Sequence, residues 1–212
     1  MVLLSPTVRA LEVLLHMCEE YVKSHGLTYN VKESVIMVFR AAGGKLPSYV
    51  PPIKISNIEL ERVYQYKYLG HFVSADLKDL MDFERERRAL AVRCNMVVRR
   101  FARCSEQVKI LLFKSYCQVF YTCSLWTNYT HRAISALRVQ YNNGFRMLLG
   151  LPPFCSASGM FAQARTDDFY AIMRKKSASL LCRLRASSSP ILKTIARRID
   201  SPFMRQLFSP RF

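Results

Sequence analysis

The sequence predicts an α+β fold, a small unit of one helix and short antiparallel strands followed by an all-helical unit. Two observations carry that prediction. The apolar pattern changes period near residue 76, from short β-branched runs and two-residue alternation to sustained three- and four-residue spacing. The charge changes at nearly the same place. Residues 1–84 hold 9 Lys and Arg against 10 Asp and Glu, a net of −1, and residues 85–212 hold 23 against 5, a net of +18.

Taken in order, Ser5-Pro6 reads as an N-cap followed by proline at the first helical position. Val8, Leu11, Leu15, Cys18 and Val22 then recur at helical spacing until Gly26, which predicts a helix over 6–25. The run Val35–Phe39 predicts a buried strand, and Gly43-Gly44 and Pro51-Pro52 bracket a loop. Ile53 and Ile55, then Ile58 and Leu60, alternate around Ser56-Asn57 as a hairpin. A third strand is expected from Tyr66 to Val73, with Tyr66, Tyr68 and Phe72 on one face. From Leu77 the spacing predicts helices over 77–103, 106–124, 130–149, 167–186 and 190–198. Gly150-Leu151-Pro152-Pro153 and Ser187-Ser188-Ser189-Pro190 interrupt them, so the expected divisions are 1–76, 77–150 and 151–212.

Composition bounds the function. Half the chain is apolar, which argues for a folded core. The seven cysteines include no C-x-x-C pair, so no zinc site is expected, and their scattered settings suit reduced thiols in cytosol or nucleus. Met1-Val2-Leu3-Leu4 meets Pro6 too soon for a secretory h-region, and the richest apolar stretch, Ile110 to Trp126, is broken by Lys114 and Gln118. A chain that is neither secreted nor membrane-bound is expected. An excess of positive charge in one part calls for a polyanion, nucleic acid first and an anionic membrane surface second.

The segment 80–103 concentrates that charge. On a helical wheel Leu80, Phe83, Leu90, Cys94, Val97 and Phe101 form one stripe. Arg85, Arg88, Arg93, Arg99, Arg100 and Arg103 gather opposite, and Arg87 lies beside the stripe. Only Glu84 and Glu86 offset them, so the arginines are expected to face solvent and to meet phosphate, which their planar fork suits. Six such contacts give a log–log salt slope of about −5. The stripe has no Trp, which speaks against a membrane-surface helix.

An ordered series of strings extends this reading. It runs through Met1–Pro6, Gly26-Leu27-Thr28-Tyr29-Asn30, Ile36–Phe39, Tyr66-Lys67-Tyr68-Leu69-Gly70-His71, Phe101-Ala102-Arg103-Cys104-Ser105, Val108-Lys109 and Leu112–Cys117. It continues through Leu125-Trp126, Tyr141–Arg146, Leu149-Gly150-Leu151-Pro152 and Ser156–Phe161. The series resembles the downstream half of the reverse transcriptase of jockey-like non-LTR (LINE-type) retrotransposons, over nearly the whole chain. The resemblance implies the end of a polymerase palm over 1–76, a helical thumb over 77–150 and a C-terminal helical extension over 151–212. The strand bearing Tyr68, Leu69, Gly70 and His71 would be the primer grip. Lys109 and Lys114 would join the six arginines in holding an RNA/DNA template–primer duplex.

The family's aromatic-X-Asp-Asp turn would fall before Met1. No catalytic aspartate, metal ligand or cofactor is therefore expected in this chain, and the Mg²⁺ of a whole enzyme would be held by the remainder of the polymerase if that is encoded upstream. The isolated chain is expected to be inactive. Asp167-Asp168 reads as a helix start. Relatives place Lys three residues after the Asn of the Asn30 motif, where this chain has Glu33. Trp126 is expected in the core of the helical unit. Two alternatives stand beside this reading: an association-prone remnant of a mobile element, and a basic helical nucleic-acid-binding module.

Overall fold

Thr7 caps the first helix, α1 (Val8–Ser24), by accepting from the Ala10 amide. The cap lies two residues beyond the expected Ser5, whose hydroxyl instead donates to the Thr7 carbonyl. At the other end Gly26 adopts φ +64, and the Leu27 amide returns to the Val22 carbonyl, which satisfies an orphan acceptor. The computed structural model describes residues 1–40, 44–45 and 47–208. Gly43 of the expected loop lies outside them.

The chain folds as two units of α+β and α character. The first comprises residues 1–66 and 73–77. Its core is Leu15 against Ile53, Ile55 and Leu60, ringed by Leu3, Val8, Leu11, Tyr29, Val31 and Ile36. The strands are short. β1 (Val35–Ile36) pairs with β4 (Glu61–Arg62), and β2 (Lys54–Ile55) pairs with β3 (Ile58–Glu59) as a hairpin. Ser56 and Asn57 both take positive φ in its two-residue turn, which matches strand twist. Two expectations change here. The β1–β4 pairing is parallel, so the strands are not all antiparallel. The run Val35–Phe39 pairs only over its first two residues, and Val35–Val38 are half-buried because one small hairpin and one helix cannot cover both of its faces.

The second unit comprises residues 67–72 and 78–212. Its helices are α2 (Leu80–Arg100), α3 (Glu106–Cys117), α4 (His131–Leu149), α5 (Ala157–Gln163), α6 (Phe169–Ala186), α7 (Pro190–Arg197) and α8 (Pro202–Phe208). Leu90, Cys94 and Val97 of α2 meet Ile134, Leu137, Tyr141 and Phe145 of α4 in one core. Met160, Phe161, Phe169, Ile172 and Met173, from beyond Gly150, sit in that same core. Tyr141 stacks on Phe161, and its hydroxyl donates to the Asp167 carbonyl while accepting from Gln118. Each large side chain so buried contributes about 2 kcal/mol. A second cluster of Leu184, Met204 and Leu207 joins α6 to α7 and α8.

Two helices, α5 and α8, were not anticipated; at seven residues each they show too few turns for a periodic signal. The helix expected over 106–124 ends at Cys117. Beyond it Thr122 Oγ1 and Trp126 Nε1 donate to the Asp82 carboxylate of α2. Among the described residues no helix is long and apolar enough to cross a membrane.

Candidate nucleic-acid interface

The expected strand Tyr66–Val73 is instead a hairpin of β5 (Gln65–Tyr68) and β6 (His71–Ser74). Leu69 and Gly70 form its two-residue turn at φ +48 and +82, the signs of a type I′ turn. Leucine is costly there, because its Cβ crowds the backbone in the left-handed region. Yet Leu69 is 72% exposed, so no packing rewards it. A Cβ on Gly70 would stand 3.4 Å from the Tyr121 ring. The four residues Tyr68, Leu69, Gly70 and His71 are thus brought together at one tip, Tyr68 exposed and His71 half-buried.

Asp82 anchors that tip. Its side chain is fully buried and accepts from the Phe72 amide at 3.1 Å, Arg85 Nε at 2.7 Å, Thr122 Oγ1 at 2.8 Å and Trp126 Nε1 at 2.7 Å. His71 Nδ1 stands 3.0 Å from the same carboxylate, at ion-pair distance though off the hydrogen-bond direction. Burial alone would push this carboxyl up. His71, Arg85, Trp126 and Thr122, drawn close around it, outweigh burial and hold it far below the ordinary carboxylate range. One turn on, buried Glu86 takes Arg85 Nη1 at 3.1 Å and Arg93 Nη2. One turn earlier, Asp79 accepts the Thr127 and Asn128 amides, both at 2.7 Å. Burial raises the Asp79 carboxyl, and those two amides only partly oppose the rise.

These carboxylates correct the picture of an unpaired arginine face. Arg85 and Arg93 are half-buried partners of Asp82 and Glu86. Arg87 and Arg88 both bind Glu84, at 2.8 Å each, and those bonds pull the Glu84 carboxyl down to about 2. Lys114 donates to the Arg165 carbonyl at 3.0 Å. What remains is a shorter set. Arg99, Arg100 and Arg103 are exposed and have no ion-pair partner among the described residues, and Lys109 follows one turn into α3. They stand where α2 ends and α3 begins. There the negative end of the α2 dipole favours cations in its last turn.

Asp79, Asp82 and Glu86 escape a reading by hydrophobic period, because they occupy the inward positions themselves, in register with Leu90, Cys94 and Val97. Leu80, counted on the stripe, is 38% exposed. The available signal was a run of three acids at helical spacing beside Arg85 and Arg93.

Trp126 is in the core, stacked on Phe83 at 4.0 Å. Asp168 caps α6 by accepting the Ala171 amide, and Asp167 pairs with Lys175. Glu33 is exposed at the end of a 3-10 turn, Val31–Glu33. A divalent metal of the implied kind does not fit the acids that do converge. Asp79, Asp82 and Glu86 are each taken by amide, indole, hydroxyl or guanidinium donors, and no group of three His, Cys, Asp or Glu among the described residues is placed to hold an ion. No family model matches the chain, and no curated protein and no solved structure matches it.

Proposed function

We propose that this chain is the end-of-palm and thumb portion of a non-LTR retrotransposon reverse transcriptase, and that its helical unit holds template–primer duplex by the phosphates. The observation that carries the reading is the charge of that unit. Its residues hold 25 Lys and Arg against 8 Asp and Glu, the whole net +17 of the chain. Arg99, Arg100 and Arg103 stand free of carboxylates where α2 meets α3. Guanidinium groups left unpaired and repelling one another gain most from a polyanion. The Tyr68–His71 tip supports the same reading. A large apolar residue at positive φ, exposed at a turn anchored from beneath by Asp82, is strain without a packing reward, and such strain gathers where a ligand is met.

In this reading Arg99, Arg100, Arg103 and Lys109 are the phosphate contacts, and Arg85 and Arg93 shape the site by holding α2 and the hairpin tip in place. The test is a gel shift with an RNA–DNA heteroduplex beside a primer-extension assay. Salt-sensitive binding with no nucleotide incorporation is the expected pair of results. Absence of binding at low salt would remove the thumb reading, and extension by this chain would remove the expectation that it is inactive.

A second reading has its own observation. Val13, Met17 and Tyr21, at four-residue spacing on α1, are 55%, 60% and 61% exposed. An uncovered apolar row of this kind favours association, as expected of a remnant. Size-exclusion chromatography separates the two: a concentration-independent monomer speaks for the first reading.

A further inference from the structure

The second unit also contains a cavity of about 870 Å³, lined by Arg185 of α6, Ile199, and Pro202, Arg205, Gln206 and Phe208 of α8. That volume lies in the range of small-ligand sites. Its chemistry is two-sided. Arg185 lies over the Phe208 ring, with its guanidinium carbon 5.3 Å from the centroid, and the residue is exposed. Arg205 is exposed. Neither guanidinium has a carboxylate partner among the described residues, and no acid lines the cavity. Beside them lies uncovered apolar surface: Ile199 is 61% exposed and Phe208 43%. Gln206 is fixed by its bond to the Tyr129 hydroxyl at 2.6 Å. The wall is steady because α8 buries Met204 and Leu207 on its opposite face, against Leu184.

We infer that this cavity binds a nucleoside phosphate, with the phosphate on Arg185 and Arg205 and the base against Phe208, Ile199 and Pro202. Bidentate donors recognise the phosphate, and a flat ring beside them recognises the base. A free mononucleotide and the unpaired 5′ end of a strand present the same chemistry. The lining does not include Arg99, Arg100 or Arg103.

The experiment is isothermal titration of the full chain at low salt with AMP, adenosine and inorganic phosphate. It is run on the wild type, Arg185→Ala, Arg205→Gln and the control Arg99→Ala/Arg100→Ala, with a thermal melt of each. AMP is expected to bind at least tenfold tighter than adenosine or phosphate. Arg185→Ala and Arg205→Gln should each weaken AMP about tenfold with an unchanged melt, and the control should bind AMP as the wild type does. Displacement of AMP by a 5′-phosphorylated single strand, but not by its unphosphorylated form, would assign the site to strand ends; no displacement would assign it to the free nucleotide. The inference is overturned if AMP gives no binding at millimolar concentration, if phosphate binds as tightly as AMP, or if neither cavity arginine matters. Loss of duplex binding in the control with AMP binding retained would show the two sites to be independent.

Discussion

At the scale of single residues, Asp82 decides the most. It is a fully buried carboxylate whose donors come from the hairpin, from α2 and from residues 122–126. Removing its charge leaves Arg85 with Glu86 as its one remaining carboxylate and weakens the acceptor shared by Thr122 and Trp126, and breaking a buried pair from one side costs about 3–5 kcal/mol. Asp82→Asn is therefore expected to lower the melting temperature of the chain by many degrees, read by circular dichroism, whereas Arg99→Ala should change the stability by no more than about 0.5 kcal/mol. The pH dependence has a definite sign. Asp82 and Glu84 both have depressed folded pKa values, Glu84 at about 2. Their contribution is fully present above the unfolded values of about 4 and is lost as pH falls through the folded ones. Asp79 acts the other way, since its raised pKa adds stability at low pH that is lost as pH rises. Stability should thus decline below about pH 4, and more shallowly in Asp82→Asn; parallel curves for the two proteins would contradict the role given to Asp82. Residues of this kind were the least legible in the sequence. A period count treats Asp82 and Glu86 as polar positions. In the structure Arg85 and Arg93 follow them inward.

At the scale of elements, the long helices α1, α2, α4 and α6 were legible because their apolar stripes persist for many turns, within a few residues at each end. The β5–β6 hairpin was not, because its turn is Leu69-Gly70 where the usual type I′ pair is Asn-Gly. That difference makes a prediction. Leu69→Asn should raise stability by about 0.5–1 kcal/mol in urea unfolding by relieving the strained position, while Gly70→Ala should lower it. If the tip meets a nucleic-acid strand, the stabilised Leu69→Asn protein should bind heteroduplex more weakly. Gly144 makes a further case. A Cβ there would collide with the Cys94 sulfur, so the close approach of α4 to α2 requires glycine. Gly144→Ala should destabilise the helical unit by about 1–3 kcal/mol, beyond the gain in helix propensity, with a lower urea midpoint as the readout.

At the scale of the whole molecule, the charge asymmetry seen in the sequence coincides with the division into units. The unit of residues 1–66 and 73–77 holds 7 Lys and Arg against 7 Asp and Glu and is neutral, so the other carries the entire excess. What the sequence could not show is how much of that excess is committed to internal pairs. With Arg85, Arg88 and Arg93 engaged by Asp82, Glu84 and Glu86, the free set at the α2–α3 corner falls to Arg99, Arg100, Arg103 and Lys109. Four phosphate contacts imply a log–log salt slope of about −3 to −4, in place of the −5 or so expected from six arginines.

That slope is the most direct test. Fluorescence anisotropy of a labelled RNA–DNA heteroduplex, titrated with the wild type and with Arg99→Ala/Arg100→Ala/Arg103→Ala across a range of salt, reads it for both proteins. The account predicts a wild-type slope near −3 to −4, made shallower by about three in the triple variant with its melting temperature preserved. A wild type that does not bind at low salt, or a triple variant with an undiminished slope, would contradict it.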